Sequence, residues 1–381
     1  MRFDLDRIPS ITQAPGVLDE VGALAARLGG GGAVLLMADP GLAAFGILDR
    51  AESSLKAAGL AVTMFTDIKS DPSTAQVDAA ATLARRDGVT VVVSLGGGSA
   101  MDAGKAVAAI APSAEPASYY ALCAKPLPQH PLRSICVPTT SGTGSETTRT
   151  SVLSEPSGAK IWLWGSELKP DAILLDPTLT VDLPAHLTAA TGVDALIHAL
   201  EASTNRRANP AADLYCHEAI RLVVAYLPTA MREPRNIEAR AALQWAAALA
   251  GIAIDTCGTA IAHNIGHALA SLRPIHHGRA VGLALLATLE WNRADDSTGR
   301  YAAVARAMGA ESSQLTPAYE KLLRGVGVKV SLRDEGFDDV TPEQLAAQMA
   351  RPENASMRSS NARDTSDADL LMFARTVLTQ A

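Results

Sequence analysis

A change in hydrophobic pattern near the middle of the chain constrains the fold most. Up to about residue 180, short apolar runs rich in β-branched residues alternate with Ala/Leu-rich segments of helical period. Strands are predicted at 33–38, 60–65 and 89–95, with helices at 49–58 and 74–86. This alternation is typical of βαβ units, so the first part is predicted to contain a parallel sheet covered by helices.

The strand signal fades beyond Pro184, where consecutive helices are predicted at 189–202, 210–226, 239–252 and 281–291. The Ser-, Asn- and Asp-rich stretch 351–366 is predicted to be an exposed loop before a last helix at 367–379. With 381 residues, 48% of them hydrophobic, the chain can bury two cores. We therefore predict an α/β domain at 1–185 and an all-α domain at 186–381.

Charge and termini exclude two classes of partner. The net charge of −7 comes from scattered acids, and no Lys/Arg-rich block is present, so no nucleic-acid partner is expected. The beginning MRFDLDRIPS lacks the basic and apolar regions of a signal peptide, and no later run of about eighteen apolar residues occurs. These features predict a soluble cytoplasmic protein with no membrane partner.

A glycine turn follows the predicted strand 89–95 and precedes the helical sequence DAGKAVAAI. Gly97 and Gly98 would let the backbone approach a pyrophosphate, and the N-terminus of the helix offers free N–H groups to the anion. Ser99 and Asp102 complete this predicted cofactor-binding turn, with Ser99 as the N-cap of a capping box. The spacing differs from G-x-G-x-x-G, so a tight turn without a ligand is the alternative.

A second loop, PTTSGTGSE at 138–146, follows another predicted strand at 134–137. Thr139 and Thr140 begin this hydroxyl-rich loop, which is predicted to wrap a cofactor; a plain surface connection is the alternative. Asp39 ends the first predicted strand, where an acid can bind the ribose hydroxyls of NAD and repel the 2′-phosphate of NADP. It could instead simply begin a turn with Pro40.

Histidine is scarce, yet four of the eight lie between His263 and His277. His263 and His267 are four residues apart on a predicted helix, and Asp194 and His198 share that spacing on another. We predict Asp194, His198, His263 and His277 as metal ligands, with His267 supporting a ligand or handling a proton. Nitrogen and oxygen ligands suit iron(II), zinc or a related divalent ion. Any one of these histidines could alternatively be an ordinary core residue.

Four segments occur together in order: SLGGGSAMDAGKAVA, VPTTSGTGSETT, DAILLDPTLTVDLPAHLTAATGVDALIHALEA and AHNIGHALASLRPIHHG. In this combination the chain resembles the iron-containing (group III) alcohol dehydrogenases. The resemblance implies a Rossmann-like N-terminal dinucleotide-binding domain and an all-α C-terminal domain, the dehydroquinate synthase-like architecture. It also implies NAD, iron(II) with zinc as the alternative, a small alcohol or aldehyde substrate, and a homodimer.

The resemblance also assigns site residues. It implies the same four metal ligands and matches His267 to an additional active-site histidine of the family. It implies that eight residues line the NAD site: Asp39, Gly97, Gly98, Ser99, Thr139, Thr140, Lys160 and Leu179.

The chain departs from the family pattern at four positions. Arg149 and Asp71 stand where Asn is common, Ile254 where Phe is common, and Arg279 where a small or apolar residue is usual. An arginine can hold a carboxylate bidentately, so an anionic semialdehyde or hydroxyacid-type substrate is one hypothesis. The alternative is an arginine turned to solvent or to the cofactor phosphates.

The predicted function is therefore a metal-assisted, NAD-dependent alcohol dehydrogenase or aldehyde reductase. One alternative is a glycerol dehydrogenase-like zinc enzyme. Another is a dehydroquinate synthase-like lyase, which needs several phosphate-binding cations, whereas the segments around the metal ligands offer Arg149, Lys160, Arg273 and Arg279. A non-catalytic NAD-sensing or metal-storage protein has no need for both the glycine turn and the metal ligands.

Overall fold

The chain divides into two compact units. The structure is a computed structural model that describes residues 3–68, 70–156, 159–333 and 335–380. The sheet unit consists of Asp6–Thr140 and Gly144–Val181, and the helical unit consists of 3–5, Ser141–Thr143 and 182–380. The division into domains 1–185 and 186–381 stays a prediction, which limited proteolysis can test.

The sheet unit is built on six parallel strands in the order β1-β8-β5-β4-β2-β3. A separate antiparallel hairpin, β6–β7, was not predicted from the sequence. The strands are β1 (Ser10–Gln13), β2 (Ala33–Ala38), β3 (Val62–Phe65), β4 (Val89–Gly96), β5 (Arg133–Pro138), β6 (Thr150–Ser154), β7 (Lys160–Trp164) and β8 (Ala172–Leu175). The helices of this unit are α1 (Val21–Gly29), α2 (Ile47–Ala57), α3 (Thr74–Arg86) and α4 (Gly98–Ile110).

Strands β2 and β4 are neighbours in the interior of the sheet and are buried along almost their whole length. Their sequences, AVLLMA and VTVVVSLG, are nearly continuous apolar runs, as expected when helices cover both faces of a parallel sheet. Alternate residues such as Leu36 and Val93 pack with residues of α1 and α2 in one hydrophobic core. The predicted parallel sheet with covering helices is therefore confirmed.

The helical unit contains α5 (Ala185–Thr204), α6 (Pro210–Arg232), α7 (Ile237–Cys257), α8 (Ile261–Leu272), α9 (His277–Arg293), α10 (Arg300–Ala307), α11 (Leu315–Gly325), α12 (Pro342–Met349), α13 (Ala355–Ser360) and α14 (Asp367–Thr379). Helix α5 lies in its core, packed against α6, α7 and α9. Within the described residues, α7 is the one helix long and apolar enough to cross a membrane. Most of it is buried inside the unit, and a core helix meets the same criteria. The predicted all-α second part is confirmed.

One local prediction is wrong. The stretch 351–366 contains α13 rather than being an exposed loop throughout, and Asn354, Met357 and Ser360 are buried. Asn264 of α8 donates through Nδ2 to the carbonyl of Asn354 at 2.9 Å, and Ser360 Oγ donates to the carbonyl of Met357. Polar side chains predict exposure from sequence, but here they are buried because the packed helices offer them hydrogen-bond partners.

Candidate metal and cofactor sites

Four predicted ligands converge inside the helical unit. Asp194 and His198 lie one turn apart on α5, His263 lies on α8, and His277 is the first residue of α9. One ligand atom from each lies within 4.8 Å of the others. Asp194 Oδ1 is 3.8, 3.9 and 3.6 Å from the Nε2 atoms of His198, His263 and His277. Four ligands at about 2.1 Å from one ion would be about 3.4 Å apart, so the group has the size of a divalent metal site.

Two atoms of this group lack a partner that a metal would supply. Asp194 Oδ1 and His263 Nε2 are buried and have no hydrogen-bond partner within the described part of the chain. An unsatisfied buried polar atom costs about 1–3 kcal/mol, which a bound cation would offset. Burial lowers the pKa of His198 to about 4 and that of His263 well below its ordinary value. Both imidazoles are thus neutral near pH 7, the form that binds metal, and the donor set fits a divalent ion.

The start of α9 brings His277 against α5. The next residue, Gly278, lies so close to α5 that a Cβ there would be 2.1 Å from the carbonyl oxygen of Ala190 and 3.1 Å from Asp194 Cβ. A side chain at this position would push the two helices apart. The glycine that follows His277 in the sequence therefore permits the approach that closes the group.

Glu201 is a functional residue that the sequence reasoning missed. Its buried carboxylate accepts hydrogen bonds from the backbone N–H groups of Ala260 and Ala262, at 2.7 and 2.6 Å. It also lies 2.6 Å from His263 Nδ1. A proton on Nδ1 directs the Nε2 lone pair of His263 toward Asp194, which is the usual task of a carboxylate behind a metal-binding histidine. Burial raises the pKa of Glu201 to about 7, although the hydrogen bonds from Ala260 and Ala262 act in the opposite direction and lower it.

A signal for Glu201 was present in the sequence. It follows His198 by three residues and Asp194 by seven on the same helix, which places all three on one face of α5. An acidic residue on the same helix face as two predicted ligands is the pattern that could have identified Glu201.

His267 lies one turn beyond His263 on α8 and is partly buried. Its ring centroid is 5.3 Å from that of His277 and 6.3 Å from that of His263. It is not one of the four closely grouped residues. It therefore stands beside the group, where the sequence placed it, and its role stays a prediction.

Several predicted cofactor residues of the sheet unit follow the carboxyl ends of neighbouring strands. Strands β8, β5, β4 and β2 are parallel neighbours, and Leu179, Thr139, Gly97 and Asp39 follow their carboxyl ends. From β2 the chain continues to β3 on one side of the sheet, whereas from β4 it continues to β5 on the other side. The gap between β2 and β4 is therefore a topological switch point, where open α/β sheets bind ligands. The backbone N–H of Thr139 donates to the carbonyl of Gly96 at 2.8 Å, which joins the two loops.

The glycine turn differs from its predicted form in its cap. Gly97 is the N-cap of α4 and no side chain caps the helix, so the predicted capping box of Ser99 and Asp102 is wrong. Gly96, with φ 151°, would place a Cβ 2.8 Å from Ala100, so the helix turns in immediately after the strand. Ser99 consequently falls inside the first turn of α4, two residues after the capping position.

The side chains of Asp39, Lys160 and Leu179 differ from one another in their surroundings. Asp39 is exposed and accepts a hydrogen bond from the N–H of Gly41 at 2.8 Å, so it does begin a turn, with its carboxylate still open to solvent. Lys160 Nζ forms an ion pair with Asp71 Oδ1 at 2.7 Å. The Asn that is common in the family at the position of Asp71 would carry no charge for this pair. Leu179 is buried in the core of the sheet unit.

The residues that depart from the family pattern are held by other side chains. Arg149 lies 4.6 Å over the ring of Trp164 and 3.7 Å from Asp6 Oδ2. Arg279 pairs with Glu335 at 2.6 Å and donates to the carbonyl groups of Lys329 and Ser331. Ile254 is partly buried against the helical core. Both arginine charges are therefore balanced by carboxylates of the same unit.

Comparison with known proteins agrees with this geometry. The profile of the iron-containing alcohol dehydrogenases matches residues 9–177, and that of the C-terminal domain of the Fe-containing alcohol dehydrogenase family matches 188–376. The chain is 31% identical to the 1,3-propanediol dehydrogenase of Klebsiella pneumoniae over 95% of each protein. It is also 31% identical to the NAD-dependent methanol dehydrogenase of Bacillus methanolicus over 81% of each.

A solved structure has the same fold over the whole length. The sulfoacetaldehyde reductase of Bifidobacterium kashiwanohense, determined in complex with NAD+, superposes with a TM-score of 0.91 at 30% identity, covering 100% of this chain and 99% of that one. The family profiles span nearly all of the sequence. The chain therefore belongs to the iron-containing alcohol dehydrogenase family.

Proposed function

We propose that this protein is an NAD-dependent alcohol dehydrogenase or aldehyde reductase that uses a divalent metal, with iron(II) as the native ion. The observation that carries the proposal is the convergence of Asp194, His198, His263 and His277, with two buried ligand atoms lacking any other partner among the described residues. A metal held by these residues would supply polarisation of an alcohol or carbonyl oxygen, and bound NAD would supply the acceptor or donor of a hydride at the adjacent carbon.

The chain's own residues supply position and protonation state. Asp194 and the three histidines would hold the metal, and Glu201 would keep His263 with its proton on Nδ1 and its Nε2 free. His267, whose ring is 5.3 Å from that of His277, is the proposed proton carrier. His263→Ala should abolish metal binding and turnover while NAD binding persists, and full activity would contradict the ligand assignment. His267→Ala should retain the metal and lose turnover.

The proposed NAD site is the carboxyl edge of the parallel sheet. Its residues are Asp39, Gly97, Gly98, Ser99, Asp102, Thr139, Thr140, Lys160 and Leu179. Support comes from the position of Asp39, Gly97, Thr139 and Leu179 after neighbouring parallel strands, and from the NAD+ complex of the sulfoacetaldehyde reductase relative. The exposed carboxylate of Asp39 supports NAD over NADP, since it would repel a 2′-phosphate.

The substrate is proposed to be a small alcohol or aldehyde. The ion pairs of Arg149 with Asp6 and of Arg279 with Glu335 weigh against either guanidinium as an anion receptor. One relative is a sulfoacetaldehyde reductase, so an anionic aldehyde is included among the substrates to be tested. Succinic semialdehyde and butanal are the matched pair, and equal kcat/KM values would remove the anionic hypothesis.

The same ion pairs weigh against a lyase of the dehydroquinate synthase type. Each of the four cations considered for phosphate binding is paired with a carboxylate: Lys160 with Asp71, Arg149 with Asp6, Arg273 with Asp339, and Arg279 with Glu335. A zinc enzyme of the glycerol dehydrogenase type is the second candidate, because one carboxylate and three imidazoles suit zinc as well as iron. Reconstitution with each metal distinguishes the two.

The resemblance also supports a cytoplasmic homodimer. Light scattering coupled to gel filtration should give twice the mass of the chain, and a monomer would contradict this proposal.

The experiment for the central proposal is NADH absorbance on a panel of alcohols and aldehydes. Apo-protein is reconstituted anaerobically with iron(II) and separately with zinc, and NAD is compared with NADP. Turnover restored by iron(II) with NAD, and weakly with NADP, is expected. No turnover with either metal would overturn the proposal in favour of the lyase.

A further inference from the structure

Lys105 is a fully buried lysine in the middle of α4 that the proposed chemistry does not use. Its ammonium donates to the carbonyl groups of Ser145 at 2.7 Å, Thr148 at 3.3 Å and Thr150 at 2.5 Å. The hydroxyl of Thr148 is a further acceptor at 3.1 Å. Burying an unpaired ammonium costs much free energy. Here several acceptors and a carboxylate surround the charge and offset that cost.

The carboxylate is that of Asp102, 3.4 Å from Lys105 Nζ and one turn earlier on α4. Asp102 Oδ1 accepts a hydrogen bond from Ser145 Oγ, and Oδ2 accepts one from the backbone N–H of Val152 at 3.0 Å. The backbone carbonyl of Asp102 accepts from Ser151 Oγ at 2.8 Å. Both oxygens of this side chain are thus engaged within the sheet unit. Asp102 and Lys105 together hold the segment 145–152 against α4.

This ion pair connects the two elements proposed to bind NAD. Helix α4 begins at Gly98, directly after the glycine turn, while 145–152 closes the loop that starts at Thr139 and Thr140. The start of the anchored segment also makes short-range bonds, such as Thr147 N–H to the carbonyl of Gly144. The contacts of Lys105 and Asp102 add long-range anchors to these local turns.

We propose that Lys105, paired with Asp102, is a positioning residue for NAD, which pre-organises the loop 139–148 on helix α4 before the cofactor binds. This inference rests on the proposed NAD site. It also changes the expected part of Asp102, from a direct cofactor contact to a residue that acts through the loop.

The expected size follows from pre-organisation. If the loop in a variant adopts the binding-competent arrangement only about a tenth of the time, the apparent dissociation constant for NAD rises about tenfold, while the bound complex is unchanged. The value of kcat at saturating NAD should then change by less than about threefold, and the loss should appear in KM for NAD.

The test is Lys105→Met in the full-length, metal-loaded protein, since Met has a similar length and no charge. The matched control is Lys169→Met, another buried lysine of the sheet unit, whose Nζ donates to the carbonyl of Arg7 at 2.7 Å. Lys169 precedes β8, so it lies at the amino-terminal edge of the sheet, opposite the cofactor loops. NAD affinity is measured by calorimetry well below the melting temperature of each variant.

Lys105→Met is expected to weaken NAD binding about tenfold and to speed amide hydrogen exchange in 147–152, with Lys169→Met close to wild type in both. Unchanged NAD affinity in folded Lys105→Met overturns the inference. Equal weakening by both variants also overturns it, because it would report general destabilisation of the unit.

A second pair of variants applies if Lys105→Met does not fold. Ser145→Ala removes the Ser145 Oγ bond to Asp102, and Ser151→Ala removes the Ser151 Oγ bond to the backbone carbonyl of Asp102. Wild-type NAD affinity in both overturns the inference, while weakening with kcat preserved supports it. Absence of NAD binding by the wild-type protein would instead refute the proposed function, so the two failures are distinguishable.

Discussion

Replacement of Glu201 by Gln tests whether the carboxylate behind His263 maintains the metal centre. The amide is nearly isosteric, but it carries one acceptor oxygen where the carboxylate has two. Glu201 Oε2 serves both Ala260 N–H and His263 Nδ1, whereas Oε1 serves Ala262 N–H. In Glu201→Gln the amide oxygen can keep the bonds to Ala260 N–H and His263 Nδ1. The amide NH2 group then faces the N–H of Ala262, so that two donors meet and that N–H has no acceptor.

The magnitude follows from these contacts. One buried N–H left without an acceptor costs about 1–3 kcal/mol of folding free energy. His263 also exchanges a carboxylate acceptor for a weaker amide acceptor of its Nδ1 proton, so its Nε2 becomes a weaker and less well-oriented ligand. Loss of such a partner lowers metal affinity about 10- to 100-fold, which corresponds to about 1.4–2.7 kcal/mol.

Metal affinity is measured by competition with a chelator, using zinc in air and iron(II) anaerobically. Glu146→Gln is the matched control, because Glu146 is also buried but belongs to the sheet unit. Unchanged metal affinity in folded Glu201→Gln would refute the reasoning, and so would an equal loss in Glu146→Gln.

Three further predictions concern other parts of the chain. Gly278→Ala should weaken metal binding and lower the melting temperature, because its Cβ would lie 2.1 Å from the carbonyl of Ala190, whereas Gly325→Ala meets nothing within 4 Å and should be harmless in both assays. Burial raises the pKa of Glu146 from 4.5 to about 7, so the folded state binds this proton more tightly than the unfolded chain does. Stability should therefore fall by at most about 3 kcal/mol between pH 4.5 and 7. Denaturant unfolding at pH 5 and 7.5 should show a smaller decline in Glu146→Gln, and an identical one would contradict this assignment. Asp39→Ala should reduce the preference for NAD over NADP at least about tenfold in kcat/KM by removing the charge that repels a 2′-phosphate; an unchanged ratio would exclude Asp39 as the determinant.

Much of the fold was predictable because helices and strands have characteristic periods of apolar residues in the local sequence. The predicted helices 74–86 and 367–379 and the strand 33–38 coincide with α3, α14 and β2. Helical spacing likewise placed Asp194 beside His198, since residues four apart share one face of a helix whatever surrounds it. The motif order along the chain was sufficient to indicate the family.

The remaining features depend on contacts between residues far apart in the sequence. Glu201 and His263 are 62 residues apart, and Lys105 meets the carbonyl of Ser145 across 40 residues. No periodicity encodes such pairs, because they exist only once helices and loops have packed. The helix cap shows the same limit at short range: Ser99 is a good capping residue by type, yet the close approach of α4 to β4 gives that position to Gly97. Sequence by itself thus determined many of the elements, the family and the candidate ligands. Tertiary packing decided which buried charges hold them in place, because the cost of burying a charge is offset only by partners that packing brings near.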